Sequence, residues 1–411
     1  MTEPAKRHTV LLLGPLPPPW TGPAVATQTL LGHPRLSAQF RLAFVNLNYE
    51  GQSKARRLLS TLKALCQAAA KMLSGRPRLV YLALTRSAAG CVKDCFFIAM
   101  ARLVGAPVVG HVHGGDLKVF YDACPPALRR LVRCAYGRIR RLVVLGAALR
   151  AQCEGLVEGG RVRVVPNCCD DCDLPPGLAR RRRQSGEPLR LVFLSNVLPS
   201  KGLSDALEGM ALAVERGVRA TLTFAGAFLD HDAALARLPE YADRNVDART
   251  LERDFNSRLD RLALKGSVRG PQVFVGQAKW ELLCSSDVLV LPIYNPFEGQ
   301  PLTIIEAMRA GCAVVTTACG GIADLVQDGV TGRVVRPHCP RDVADALEWL
   351  WKNPDAMDRI SRSNRLRAAE GHSPRAHADA MISVFREAMQ AGGRGQEALK
   401  TSNNSSPRKT R

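Results

Sequence analysis

The chain has 411 residues, 46% of them hydrophobic and 23% charged, with a formal net charge of +20. That length suits two domains with full cores, and no run of eighteen apolar residues exists, so no transmembrane helix is expected. Thirteen cysteines without a framework spacing argue against a disulfide scaffold and for reduced thiols in a cytoplasmic compartment.

Lys6 and Arg7 precede TVLLLG (9–14), an apolar stretch too short for a signal-peptide core that reads as a first strand. Further β-like runs follow at 41–47, 78–84, 107–114, 141–146 and 161–167, alternating with helical patterns. Such alternation implies βαβ units and a parallel sheet. RRRRQSGEP (180–188) is charged and aperiodic, the best candidate for an interdomain hinge. The pattern then repeats at LRLVFLS (189–195), ATLTFAG (220–226), QVFVG (272–276), VLVLPIY (288–294) and AVVTTA (313–318). Segment 230–270 reads as a helical insertion. The stretch from Ala391 is Gly/Ser/Asn-rich and basic, the composition of a disordered tail.

Charge is divided unequally. Residues 1–185 carry 28 Lys+Arg against 10 Asp+Glu, a net +18, whereas residues 186–411 carry 29 against 27, a net +2. Two stretches of the first half read as basic amphipathic helices. In 54–73, Leu58, Leu62, Leu65 and Ala69 share a face, with Arg57, Lys63 and Lys71 off it. In 127–142, Leu128, Leu131, Ala135, Ile139 and Leu142 lie against Arg129, Arg130, Arg133, Arg140 and Arg141. Each could be a surface helix with its apolar side in the core, or a face for an anionic membrane.

Several segments carry chemistry. GPLPPPWTGPAV (14–25) is kept non-helical by Pro and Gly, and a Gly lets backbone approach a ligand closely. In PVVGHVHGGD (107–116), His111 and His113 point to one strand face, so periodicity does not choose between them. A zinc site there lacks third and fourth ligands at any standard spacing. VVPNCCDDCD (164–173) has three close thiols without a second CxxC, and a D-x-D at Asp171 and Asp173. In FLSNVLPSKGLSDALEG (193–209), Lys201 stands where a strand gives way to a helix, a place for a point charge against a diphosphate. In NPFEGQPLTIIEAMRAGCAVV (295–315), Glu298 lies in a loop after an apolar run and Glu306 inside the following helix. Ligands of open α/β sheets bind at the carboxyl ends of strands, and a helix start suits a phosphate or oxyanion.

EGQPLTIIEAMRAG closely resembles the E-x7-E motif of retaining glycosyltransferases of family 4, of exopolysaccharide and lipopolysaccharide type, and matches in order extend over most of residues 9–390. The resemblance implies an α/β GT-B fold: two Rossmann-like domains facing each other across a central cleft. Its expected parts are an acceptor domain over 1–180, a nucleotide-sugar domain over 187–372, a helix over 373–390 returning to the first domain, and a basic disordered tail over 391–411. It implies Glu298, His113 and Lys201 as catalytic residues. Glu306 would take the ribose hydroxyls, Lys201 the diphosphate, and the backbone of Gly299, Gln300, Pro301, Leu302 and Thr303 the phosphate or sugar. Where relatives carry Gly-Gly this chain has Thr21-Gly22, so only Gly22 is carried over to the donor. Pro166, Asn167 and Asp170 match V-x-P-N-G-V-D, with Cys168 and Cys169 replacing Gly and Val. In the phosphate motif G-R-x-x-x-x-K-G, Lys201 and Gly202 match but Ser195-Asn196 replaces Gly-Arg, removing one of two cations. Asn196 still offers a hydrogen-bond donor. Gly320-Gly321 corresponds to a family loop after a strand.

The implied function is retaining transfer of a hexosyl or related sugar from a UDP- or GDP-sugar to a saccharide acceptor, lipid-linked, in bacterial surface polysaccharide or glycolipid synthesis. No metal or further cofactor is expected. The charge asymmetry adds an anionic membrane as partner, at the inner face of the cytoplasmic membrane. The alternatives are a catalytically impaired relative serving as a membrane scaffold, and a GT-B nucleotide-sugar epimerase. Nucleic acid is not an expected partner, because the basic stretches lack interleaved aromatics and aromatics are only 5% of residues.

Overall fold

The computed structural model describes residues 7–18, 21–48, 53–169, 183–184, 186–230 and 247–402, with backbone alone at 54 and 391–402. The chain divides into two compact units, Met1–Pro166 with Pro374–Arg411, and Asn167–Ser373.

The first unit runs β1 (His8–Gly14), α1 (Gly22–Gly32), α2 (Pro34–Gln39), β2 (Phe40–Asn46), α3 (Lys54–Gly75), β3 (Leu79–Ala83), α4 (Ala88–Leu103), β4 (Val108–Val112), α5 (Leu117–Ala123), α6 (Pro126–Tyr136), β5 (Arg141–Val144) and β6 (Val162–Val164). The strands form one parallel sheet in the order β2-β1-β3-β4-β5-β6. Its strands are nearly continuous apolar runs because helices cover both faces. Along β1 the alternation is plain: Leu11 and Leu13 join one core with Ala64, Phe97 and Tyr136, while Val10 and Leu12 join another with Leu30, Tyr81 and Phe385.

The second unit runs β7 (Leu189–Leu194), α7 (Leu203–Glu215), β8 (Ala220–Ala225), α8 (Ala248–Arg261), β9 (Val268–Gln272), α9 (Gly276–Ser285), β10 (Val288–Leu291), α10 (Leu302–Ala310), β11 (Ala313–Thr316), β12 (Gly332–Val334), α11 (Pro340–Lys352) and α12 (Pro354–Gly371). Its parallel sheet has the order β12-β11-β10-β7-β8-β9. The buried Asp287 carboxylate accepts from the Arg190 N–H at 3.0 Å and from its guanidinium at 2.9 and 2.8 Å. This fork locks β7 to β10 at their amino ends, so the carboxyl ends of the same two strands hold a fixed spacing. The last helix, α13 (Pro374–Ser402), is part of the first unit, where Phe385 packs edge-on against Phe40 and Tyr81.

The structure corrects several expectations. QVFVG is not a strand: β9 is Val268–Gln272, and Val273 and Val275 are exposed. Gly270, at φ +88°, sits so close to the Phe224 carbonyl that a Cβ would collide with it, and the ladder shifts register there between Thr223 and Ala225. An edge position tolerates this Gly-Pro bulge. On α3 the buried side is Ala64, Ala68 and Met72, whereas Leu58, Leu59 and Leu62 are 62%, 66% and 50% exposed. Small residues let the helix approach the sheet and turn the leucines outward. Helix α6 stops at Tyr136 and buries Val132, Ala135 and Tyr136, leaving Leu131 exposed. Helix α13 continues to Ser402, into the stretch expected to be disordered. Elongating an existing helix avoids the nucleation cost, and QEALK consists of good helix formers. The segment read as an insertion holds α8 as the crossover between β8 and β9, with 231–246 outside the described residues. Residues 180–182 and 185 of the expected hinge also lie outside them, as do Asp170, Asp171 and Asp173.

Candidate functional site

In the second unit β7 lies between β8 and β10, so the chain winds outward in opposite directions from the β7–β10 pair. Loops leaving the carboxyl ends of two such strands diverge and open a crevice. The β7 loop carries Ser195, the exposed Asn196 and Lys201, and the β10 loop carries residues 292–301. Lys201 Nζ donates to Glu298 Oε2 at 2.8 Å, and Asn295 Nδ2 donates to the same oxygen at 3.1 Å. Both charged side chains are largely withdrawn from solvent, at 20% and 15% exposure. The catalytic cation and carboxylate expected from sequence are therefore one ion pair.

Two glycines, Gly202 and Gly320, make this closeness possible. Gly202 adopts φ +83° with its Cα against the Pro292 carbonyl, where any Cβ would clash. The turn that presents Lys201 thus packs directly on the exit of β10. Gly320, at φ +54°, abuts the Glu298 backbone in the same way, and Gly321 N–H donates to Glu298 O at 3.0 Å. Gly226 lies against the Ser195 carbonyl. Cys319, beside this loop, has its thiol pushed up by burial, with the Glu298 charge adding to the effect against a Thr317 hydrogen bond.

Helix α10 starts at Leu302 after Pro301, so the N–H groups of Leu302 and Thr303 belong to its first turn, which has no intrahelical acceptors. Glu306 lies in the next turn, 12% exposed, and Lys279 Nζ from α9 donates to its Oε1 at 2.7 Å. Gly299 is half-buried, and Gln300 is buried. Its Oε1 accepts from Asn167 N–H at 3.0 Å, and its carbonyl accepts from Asn167 Nδ2 at 2.9 Å. Gln300 is thus a strut that ties the glutamate loop to Asn167, its side chain spent on protein. His372 Nδ1 lies 2.9 Å from the Asn167 carbonyl and completes the strut.

In the first unit β1 lies between β2 and β3. Gly22 begins α1 with open space where a Cβ would stand. His111 is fully buried on β4 with Nδ1 3.0 Å from Tyr81 Oη, whereas His113 stands just past the strand end, stacked on His111 at 3.9 Å. Neither ring nitrogen of His113 has a hydrogen-bond partner among the described residues. Arg86, leaving β3, pairs with Asp116 at 2.6 Å. Sequence reasoning passed over Lys279, Arg86 and Asp116. None sits in a recognisable spacing, because each reaches its partner through tertiary packing. Among the described residues no group of three or more His, Cys, Asp or Glu converges as a metal ligand set, and the twelve cysteines there are free.

Residues 179–367 match the model of the Glycosyl transferases group 1 family. This chain carries a glycosyl transferases group 1 domain. A D-inositol 3-phosphate glycosyltransferase of Saccharomonospora viridis is 28% identical over 284 residues, which cover 68% of this chain and 54% of that protein. This chain therefore spans about half the length of that relative. A glycogen synthase of Mycobacterium tuberculosis is 25% identical over 309 residues, 74% of this chain and 68% of that protein. Among solved structures, Anabaena Alr3699/HepE in complex with UDP and glucose superposes with a TM-score of 0.64 at 16% identity, covering 92% of this chain and 100% of that one. Sucrose-phosphate synthase from Thermosynechococcus elongatus gives 0.66 at 15% identity, covering 94% and 100%. The glycosyltransferase domain and its companion unit thus have the α/β architecture of GT-B proteins.

Burial pushes the His113 imidazole down to about 3 from 6.5, with the Arg86 and His377 charges adding to the shift. His111 and His377 are lowered by burial as well. Below pH 6.5 the unfolded chain binds protons that the folded histidines refuse, so their contribution is complete above 6.5 and is lost as pH falls toward 3. Each such proton steepens the dependence by about 1.4 kcal/mol per pH unit. The melting temperature is expected to fall from pH 7 to pH 5, and to fall less steeply in His113→Gln. Parallel profiles for the two proteins would contradict the burial of a neutral His113.

Proposed function

We propose that the protein is a retaining glycosyltransferase that moves a sugar from a UDP- or GDP-sugar to a saccharide acceptor. The observation that carries this reading is the Lys201–Glu298 pair at the β7–β10 switch point, 2.8 Å apart and beside the start of α10. Departure of a nucleoside diphosphate builds negative charge on phosphate oxygens. A lysine already oriented in a partly dehydrated crevice stabilises that charge with little reorganisation, and the first-turn amides of α10 add to it. Glu298, held by Lys201 and Asn295, is in this reading a positioning and electrostatic group at the transferred sugar, and Glu306 receives the ribose hydroxyls. Retention is inferred from the E-x7-E resemblance. His113, buried, neutral and with both ring nitrogens unpartnered among the described residues, is a ready hydrogen-bonding group for the sugar. Asn196 adds a neutral donor where relatives have a cation, so Lys201 carries the phosphate charge in its motif.

The acceptor in this reading is lipid-linked, in surface polysaccharide or glycolipid synthesis, and the protein docks on an anionic membrane through its first unit. No helix of the described residues is long and apolar enough to cross a membrane. What supports peripheral docking is the +18 charge of residues 1–185 together with the exposed Leu58, Leu59 and Leu62 beside Arg56, Arg57 and Lys63 on α3. On α6 the exposed Leu131 lies among Arg130 and Arg133. Arg141, grouped with these in the sequence, pairs with Glu387 of α13 at 3.0 Å and is not available to lipid.

Two measurements test the proposal. In Lys201→Ala, turnover at saturating donor is expected to fall more than about tenfold, roughly 1.4 kcal/mol of barrier. A smaller loss in a folded variant would mean that another cation holds the phosphates. Liposome sedimentation is expected to rise with anionic lipid and fall with salt, each surface cation contributing about 1 kcal/mol. Changing Arg56, Arg57, Arg130 and Arg133 to Gln should release the protein. Equal binding to neutral liposomes would leave a soluble acceptor as the better reading.

A further inference from the structure

Both carboxylates of the E-x7-E stretch are held by lysines, and the two lysines come from different elements. Lys201 reaches Glu298 from the β7 exit at 2.8 Å, and Lys279 reaches Glu306 from α9 at 2.7 Å. Lys279 lies outside every motif in the sequence. Trp280, 1% exposed, anchors α9 in the core, and Lys279 Nζ lies 5.7 Å from its ring centroid. The ammonium is therefore held beside a fixed aromatic wall on one side and Glu306 on the other. At 23% and 12% exposure the pair is partly dehydrated. Pairs of this kind give little net stability, because desolvation offsets most of the attraction. Stability alone is a poor reason for a lysine at this place.

The pair does have a geometric consequence. A carboxylate offers about four lone-pair positions. A lysine on Oε1 fixes the rotamer and with it the plane of the carboxylate, the constraint needed to meet two adjacent hydroxyls. We propose that Lys279 is a specificity-determining positioning residue: it orients Glu306 to read the vicinal 2′,3′-diol of the donor's ribose. The ligand class is a nucleoside diphosphate with both ribose hydroxyls present. This inference rests on the donor reading of the second unit and assigns it a residue that the E-x7-E pattern does not contain.

The experiment is calorimetric binding of UDP and GDP, with their 2′-deoxy counterparts, to the full chain and to Lys279→Met, Lys279→Arg and Glu306→Gln. Sites built to hydrogen-bond a hydroxyl discriminate strongly against its absence. The wild type is expected to prefer the ribonucleotide at least about tenfold and Lys279→Met less than about threefold, with Lys279→Arg retaining most of the preference. Adding Lys279→Met to Glu306→Gln should cost nothing further, since the two act as a unit. In turnover, donor KM should rise about tenfold in Lys279→Met with a smaller change in kcat, the signature of lost ground-state binding. A folded Lys279→Met that keeps the full ribose preference overturns the inference while Glu306→Gln still reports on the donor site. If the wild type binds neither UDP nor GDP, the donor reading falls and this inference with it.

Discussion

The candidate site depends on one constraint, the close approach of two loops that leave adjacent strands in opposite directions. Lys201 can meet Glu298 only because Gly202 lets its turn rest on the Pro292 carbonyl and Gly320 lets the following loop rest on Glu298. A side chain at either glycine would push the loops apart and separate the ion pair. The Arg190–Asp287 fork sets the same two strands at their opposite ends. The pair is therefore held by rigid backbone from both directions, which is what preorganised electrostatics requires. Asn167 and Gln300 add the last restraint by tying the glutamate loop to the segment that opens the second unit.

Much of the fold was legible because buried parallel strands are continuous apolar runs, and ten such runs mark strands of the structure, among them TVLLLG, RLVYLAL and VLVLPIY. The misreadings have a common physical origin. QVFVG is as apolar as a strand, yet the ladder with β8 is set by contacts with Leu222 and Thr223, and it ends as the apolar run begins. On α3, hydrophobicity alone pointed inward through Leu58 and Leu62, but the side with Ala64 and Ala68 packs closer to the sheet. Periodicity reports that a face exists. Which face wins depends on the volume left by its neighbours.

In the candidate site the residues stand out in the sequence and their partners do not. Glu298, Glu306 and Lys201 stand out by motif, but nothing in a linear pattern says that Lys201 and Glu298 are bonded, or that Lys279 belongs with Glu306. Gln300 falls inside the motif and spends its side chain on Asn167, a contact across 133 positions of chain. His111 and His113 were equivalent by alternation. The structure separates them, because one is bonded to Tyr81 within the sheet and the other stands past its edge.

The central claim is that the β7–β10 switch point receives the diphosphate of a nucleotide. Hydrogen–deuterium exchange of the full chain with and without saturating UDP or GDP tests it most directly. Exchange is predicted to slow at 195–203 and 298–306, where the two loops and the start of α10 meet. Slowing confined to residues before Pro166, or no change with either nucleotide, would contradict the account.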